Sequence, residues 1–287
     1  MSAPRLGFVG FGEAGSRMAT GLREAGIAEL FAYDIAEDLP RRRAIESGVC
    51  LVTSNAELAE RCPILLSLVT AASALDAARQ NQPHLGSGHI YVDCNSVSPA
   101  TKREIAGVIE AGPASFIEAA ILAPVPKERG QGVPMITTGE AAAALAAQLA
   151  PLGFSMEPLT GACGTAAAVK MCRSIVIKGL EALLTECVLG ASQFGAEERV
   201  FASLQQSYPG IDWKQLADYM VNRLTVHGER RAHEMEEVAE TLRSIGVEPI
   251  MAEATALRQN WSARLRLASH FGPEGPATYA EALKLLS

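Results

Sequence analysis

At 287 residues, with 48% hydrophobic and 20% charged, the chain has apolar material for one large or two ordinary domains and is far from a disordered composition. A net charge of −7 opposes a phosphate backbone, and no clean run of about 18 uncharged apolar residues is present for a bilayer, so neither nucleic acid nor a membrane is an expected partner. Six scattered cysteines, with no C-x-x-C pair and no histidine at ligand spacing, argue against a metal site and fit a reducing, cytoplasmic setting; the opening residues do not read as a signal peptide.

In chain order, Leu6 to Gly10 reads as a strand and Glu13 to Ala25 as the helix it feeds. Leu30 to Asp34 is the next strand, followed by a helix over Leu39 to Ser47 whose arginines, Arg41, Arg42 and Arg43, read as a solvated helix face. Strands are then expected at Cys50 to Thr53, Pro63 to Val69, Ile90 to Asp93, Ser115 to Ile121, Pro134 to Thr137 and Phe154 to Glu157. Helices are expected at Ala56 to Arg61, Pro99 to Glu110 and Glu140 to Leu149. Short apolar runs alternating with helical segments predict a doubly wound, mainly parallel α/β sheet of the Rossmann type over 1–160.

From Gly164 the pattern turns entirely helical, which predicts an all-α domain over 161–287. It opens with a long helix from Thr165 to Ala191 that is apolar nearly all round, a pattern that calls for burial between domains or between subunits. Further helices are expected at Val200 to Gln206, Trp213 to Thr225, Glu229 to Ser244, Ile250 to Ala268 and Thr278 to Leu286. His227 and His233 fall in a charged stretch and read as surface residues.

Chemistry is written first into Gly10-Phe11-Gly12-Glu13-Ala14-Gly15, a G-x-G-x-x-G string that follows a strand and opens a helix. Gly10 serves the tight turn, Gly12 lets a pyrophosphate approach, and Gly15 lets helix and strand pack, while Phe11, Glu13 and Ala14 lend backbone N–H groups at the helix start. Asp34, 19 residues after Gly15, is placed to accept from both adenosine ribose hydroxyls and to repel a 2′-phosphate, so NAD is expected over NADP.

The glycine turn, the strand-end Asp93-Cys94-Asn95-Ser96 followed by Pro99, and Lys170 six residues after Gly164 together resemble the β-hydroxyacid dehydrogenases, the superfamily of the 6-phosphogluconate and 3-hydroxyisobutyrate dehydrogenases. The resemblance implies that Lys170 acts as general acid and base while hydride passes to or from the nicotinamide. It also implies that Ser96 holds substrate, that Asn95 and Thr70 touch the cofactor, and that the active enzyme is a homodimer. The residues agree on Lys170: a lysine among Ala166, Ala167, Ala168, Val169 and Met171 would be desolvated and would give up its proton more readily, unless it snorkels to solvent. Ser96 reads equally well as the cap of the helix at Pro99.

Two departures bear on the substrate. The family's Asp-Ala-Pro-Val-Ser-Gly-Gly segment, which holds a carboxylate, is replaced by Glu118-Ala119-Ala120-Ile121-Leu122-Ala123-Pro124. One turn after Lys170, where the family carries asparagine, stand Arg173 and Ser174. On a helix they share the lysine's face, so Arg173 reads either as a bidentate anchor for a small anionic substrate or as the partner of a helix carboxylate such as Glu181 or Glu186 on the facing subunit. An imine reductase-like enzyme and a non-catalytic NAD-binding or sensing protein remain the alternatives to a hydroxyacid dehydrogenase.

Overall fold

The computed structural model describes residues 4–123, 125 and 132–286. Among the described residues, eight strands form one sheet: β1 (Leu6–Val9), β2 (Leu30–Tyr33), β3 (Cys50–Leu51), β4 (Ile64–Ser67), β5 (Ile90–Asp93), β6 (Ser115–Ile121), β7 (Pro134–Thr138) and β8 (Ser155–Pro158). Their order is β3-β2-β1-β4-β5-β6-β7-β8. Every neighbouring pair is parallel except β6 and β7.

The central strands β1, β4 and β5 are apolar up to their last residue, Ser67 in β4 and Asp93 in β5 being the exceptions, because both faces are covered. Leu6, Phe8, Ala32, Leu66, Val92 and Ile117 pack into the core on one side, and Val9, Phe31, Leu65, Tyr91 and Phe116 into the core on the other. The period of two thus divides one apolar run between two layers. The helices of this region are α1 (Glu13–Glu24), α2 (Asp38–Ser47), α3 (Asn55–Arg61), α4 (Ala74–Asn81), α5 (Pro99–Glu110) and α6 (Ala142–Leu149). Of these, α4 was not anticipated, since its sequence Ala-Leu-Asp-Ala-Ala-Arg-Gln-Asn offers only a narrow apolar stripe.

The rest is helical: α7 (Thr165–Ser192), α8 (Glu197–Ser207), α9 (Trp213–Ser244), α10 (Ile250–Arg264), α11 (Ala268–Phe271) and α12 (Tyr279–Leu286). The chain forms two compact units, Met1–Lys170 and Met171–Ser287, so α7 begins in the first and continues through the second. Where two helices were expected around Gly228, α9 runs unbroken. The glycine is there for packing, because a Cβ on Gly228 would lie 2.8 Å from the Gln259 carbonyl oxygen of α10. Among the described residues no helix is long and apolar enough to cross a membrane.

Candidate functional site

The glycine turn leaves the carboxyl end of β1, next to β4, where the strand order reverses and open α/β sheets bind ligands. Gly10 has φ +83°, and a Cβ there would strike Val69 Cγ1 at 2.6 Å. A Cβ on Gly15 would lie 3.2 Å from the Gly10 carbonyl oxygen. The fold itself therefore requires both. Gly12 differs: a Cβ there would meet nothing within 4 Å. Gly12 is also the N-cap of α1 and offers no side chain to its first N–H groups. A glycine with no packing reason, at an uncapped helix start, fits a phosphate that approaches the backbone and takes the place of the cap.

Asp34 directly follows β2 and is tied to this turn. Its Oδ2 accepts from the Phe11 N–H at 2.7 Å and its Oδ1 from the Ala36 N–H at 2.8 Å. Each carboxylate oxygen has room for a second acceptor bond, so capacity for a ribose diol remains. Phe11 contributes through this N–H, its ring being fully buried in the core. Glu13 pairs with Arg17 one turn on. Arg41 and Arg42 are exposed on α2.

At the end of β5 a buried network fixes the next loop. Asn95, only 3% exposed, accepts from the Val69 N–H at 2.8 Å and donates to Ser67 Oγ at 2.9 Å and to Asp93 Oδ1. Its amide is thus engaged inward, and Asn95 positions the Val69–Thr70 loop rather than reaching a cofactor itself. Thr70 is exposed and bonds Ser73 Oγ at 2.9 Å. The other Asp93 oxygen takes Lys102 Nζ at 2.7 Å, in an ion pair whose members are 0% and 1% exposed; Nζ also donates to the Asp93 and Ala119 carbonyls. Cys94, buried beside this pair, has its thiol pushed up to about 12 by burial.

Ser98, not Ser96, caps α5, accepting from the Thr101 N–H at 3.1 Å. Ser96 is left exposed, and its Oγ accepts from Lys170 Nζ at 2.5 Å. Residues 74 positions apart are thereby joined. Lys170 is half-buried, with Ala166 and Ala167 buried but Val169 exposed, so the desolvation expected from its neighbours is incomplete in this chain.

The position of Lys170 is set by Glu118, which the sequence did not mark as functional. This carboxylate, 0% exposed on β6, accepts from Thr138 Oγ1 at 2.6 Å and from the Gly164 and Ala167 N–H groups at 2.7 Å each. It caps the first turn of α7, one turn before the lysine, where a negative charge also meets the positive end of the helix. Of the departing segment, Pro124 lies outside the described residues. Arg173 and Ser174 occupy the following turn of α7, Arg173 exposed and Ser174 half-buried. Within the chain, Glu181 and Glu186 pair with Arg231 and Arg258.

Residues 5–149 match the NAD binding domain of 6-phosphogluconate dehydrogenase, and residues 191–262 match a domain of unknown function, DUF1932. The chain is 36% identical to a conserved hypothetical protein of Sinorhizobium meliloti 1021, whose structure aligns with TM-score 0.81 over 99% of this chain and 96% of that one. It is 32% identical to a conserved protein of unknown function described as structurally similar to 3-hydroxyacid dehydrogenases, with TM-score 0.77 over 92% and 99% of the two chains. It is 26% identical to human mitochondrial 3-hydroxyisobutyrate dehydrogenase over 213 residues, which span 72% of this chain and 63% of the human protein.

Proposed function

The chain belongs to the 3-hydroxyisobutyrate and 6-phosphogluconate dehydrogenase-like superfamily, and from that membership we propose an NAD-dependent oxidoreductase acting on a small anionic hydroxy acid or the related carbonyl compound. The observation that carries the reading is the Lys170–Ser96 hydrogen bond, made just past the end of β5, at the same carboxyl edge of the sheet as the glycine turn. A nicotinamide bound there supplies a hydride acceptor or donor.

Gly10, Gly12 and Gly15, with the backbone N–H groups of Glu13 and Ala14, hold the pyrophosphate, while the Phe11 N–H, bonded to Asp34, orients the carboxylate that takes the ribose hydroxyls and disfavours a 2′-phosphate. In oxidation Lys170 Nζ takes the proton of the substrate hydroxyl as its C–H electrons leave, and in reduction the ammonium returns that proton to the carbonyl oxygen. Ser96 orients Nζ by accepting from it, and its own hydroxyl hydrogen is free to engage the same substrate oxygen. Arg173 and Ser174 are assigned to the substrate anion, in place of the missing Ser-Gly-Gly backbone. Thr70 borders the cofactor loop. The lysine favours hydroxyl and carbonyl chemistry over imine reduction. The rewritten segment from Ile121 to Pro124 favours a non-catalytic NAD-sensing protein as the second reading.

Fluorescence titration with NADH and NADPH, followed by absorbance assays over a panel of hydroxy and keto acids, tests both readings. Tighter NADH binding with turnover of a panel member is expected. Tighter NADPH binding would defeat the role given to Asp34, and cofactor binding without any turnover would favour the sensor.

A further inference from the structure

Arg17 stands one turn after Glu13 on α1, and its guanidinium turns back toward the start of the helix, as long helical side chains do. Nη2 pairs with the Glu13 carboxylate of the first turn, and Nη1 donates to the Val125 carbonyl oxygen at 2.9 Å, 108 positions away. That carbonyl is held in place because Val125, 7% exposed, packs into the same core as Met18, the neighbour of Arg17. One side of the guanidinium is thus fixed by a neutral acceptor and the other is shared with a carboxylate. Both side chains remain open to a solute: Arg17 keeps 24% of its surface and Glu13 65%.

The glycine turn meets a diphosphate with N–H groups but also with negative charge. α1 has no side-chain cap, and Gly12 leaves its Cβ position open. The residue directly after it is nevertheless Glu13, and the Asp34 carboxylate sits on the Phe11 N–H of the same turn. Carboxylates this near repel the anion that the helix start attracts. An exposed ion pair contributes little by itself, so exchanging the Glu13 carboxylate for a phosphate gives Arg17 a partner of higher charge at small cost. A guanidinium also matches two phosphate oxygens with parallel hydrogen bonds.

We propose that Arg17 is a further cofactor-binding residue, which keeps its bond to the Val125 carbonyl and gives the rest of its guanidinium to the diphosphate of the dinucleotide, with Glu13 as the competing carboxylate that holds affinity down. This rests on the dinucleotide reading of the glycine turn and adds a cation to it. Through the same guanidinium the cofactor helix is joined to the stretch that follows β6.

The full chain is titrated by fluorescence with NADH or NADPH, whichever the parent binds more tightly, and ADP and adenosine are measured as competitors. Glu13→Gln, which releases Arg17 and removes a repelling charge, should tighten the dinucleotide and ADP by about threefold. Arg17→Met should weaken both by about tenfold, since a charge-assisted contact is lost. Arg17→Lys, which keeps the charge but not the planar fork, should fall between. Adenosine carries no phosphate and should bind the parent and all three variants alike. A Glu13→Gln protein that binds no tighter than the parent, or an Arg17→Met protein that binds as the parent does, overturns the role of this pair. So does an adenosine affinity that falls in step with the dinucleotide in Arg17→Met, because the turn as a whole is then disturbed. A parent that binds neither NADH nor NADPH defeats the dinucleotide reading itself, and this proposal with it.

Discussion

Lys102 and Asp93 form an ion pair closed off from water, completed by Asn95 and the Ala119 carbonyl. Removing one member of such a pair leaves the other charged and uncompensated, so Lys102→Met is expected to destabilise by about 3–5 kcal/mol in equilibrium denaturation. Lys170 is the opposite case, half-buried and bonded to an exposed serine, and its loss should spare the fold. Lys170→Met is expected to lower kcat by roughly 10²- to 10⁴-fold with NADH affinity unchanged in fluorescence titration. His227, expected on the solvated surface, is instead half-buried, its Nε2 accepting from Arg223 at 2.7 Å. The unfolded imidazole takes up a proton near its ordinary 6.5, while burial and then Arg223, Arg230 and Arg231 hold the folded one off to about 4. The unfolded state therefore binds more protons in that window, and stability falls as pH drops through it. His227→Gln should flatten this slope between pH 6.5 and 4 in pH-dependent melts. The residues legible in the sequence were those fixed by spacing to a local motif: Gly10, Gly12, Gly15, Asp34, and Lys170 after Gly164. Lys102, Glu118 and Arg17 were not, because their meaning lies in partners that only folding supplies, up to 49 positions away for Glu118 and 108 for Arg17.

At the scale of elements, the strands were readable because two layers of cover leave no polar position in β1 or β4 until the strand ends. The helix α9 was misread at Gly228 since a glycine's helix penalty of about 1 kcal/mol looks like a break in isolation. Close contact with α10 outweighs it. The start of α7 depends on a side chain from another element. Glu118→Ala would leave the Gly164 and Ala167 N–H groups and the Thr138 hydroxyl without their acceptor, at a cost on the order of 3 kcal/mol. Glu118→Gln keeps the shape but replaces one acceptor oxygen with a donor. Both should slow turnover more than they weaken NADH binding, because the lysine is one turn beyond the lost cap; a variant with parental kcat would contradict that placing.

For the molecule as a whole, the two compact units carry separate cores. One is split across the sheet, and another is built from Val188, Phe201, Ala217, Val221 and Tyr279 in the helices. On α7, Val176 and Leu183 are 61% and 56% exposed, seven residues apart, in a stripe of the kind that packs against a second helix. We expect this stripe to be covered by a second copy of the chain. Sedimentation equilibrium should give a dimer for the parent and a shift toward monomer for the Val176→Glu, Leu183→Glu double variant; a monomeric parent would remove the basis for that expectation.

The anchoring of α7 through Glu118 has a practical corollary. The first turn of the lysine's helix is fastened to Glu118 within β6, ahead of Leu122 to Pro124, where this chain lacks the serine and glycines of the family's substrate-binding sequence. Proton transfer by Lys170 and the anion contacts assigned to Arg173 and Ser174 thus share one support, α7. The connecting stretch can be randomised in a library to seek new substrates while the proton-transfer apparatus stays where it is.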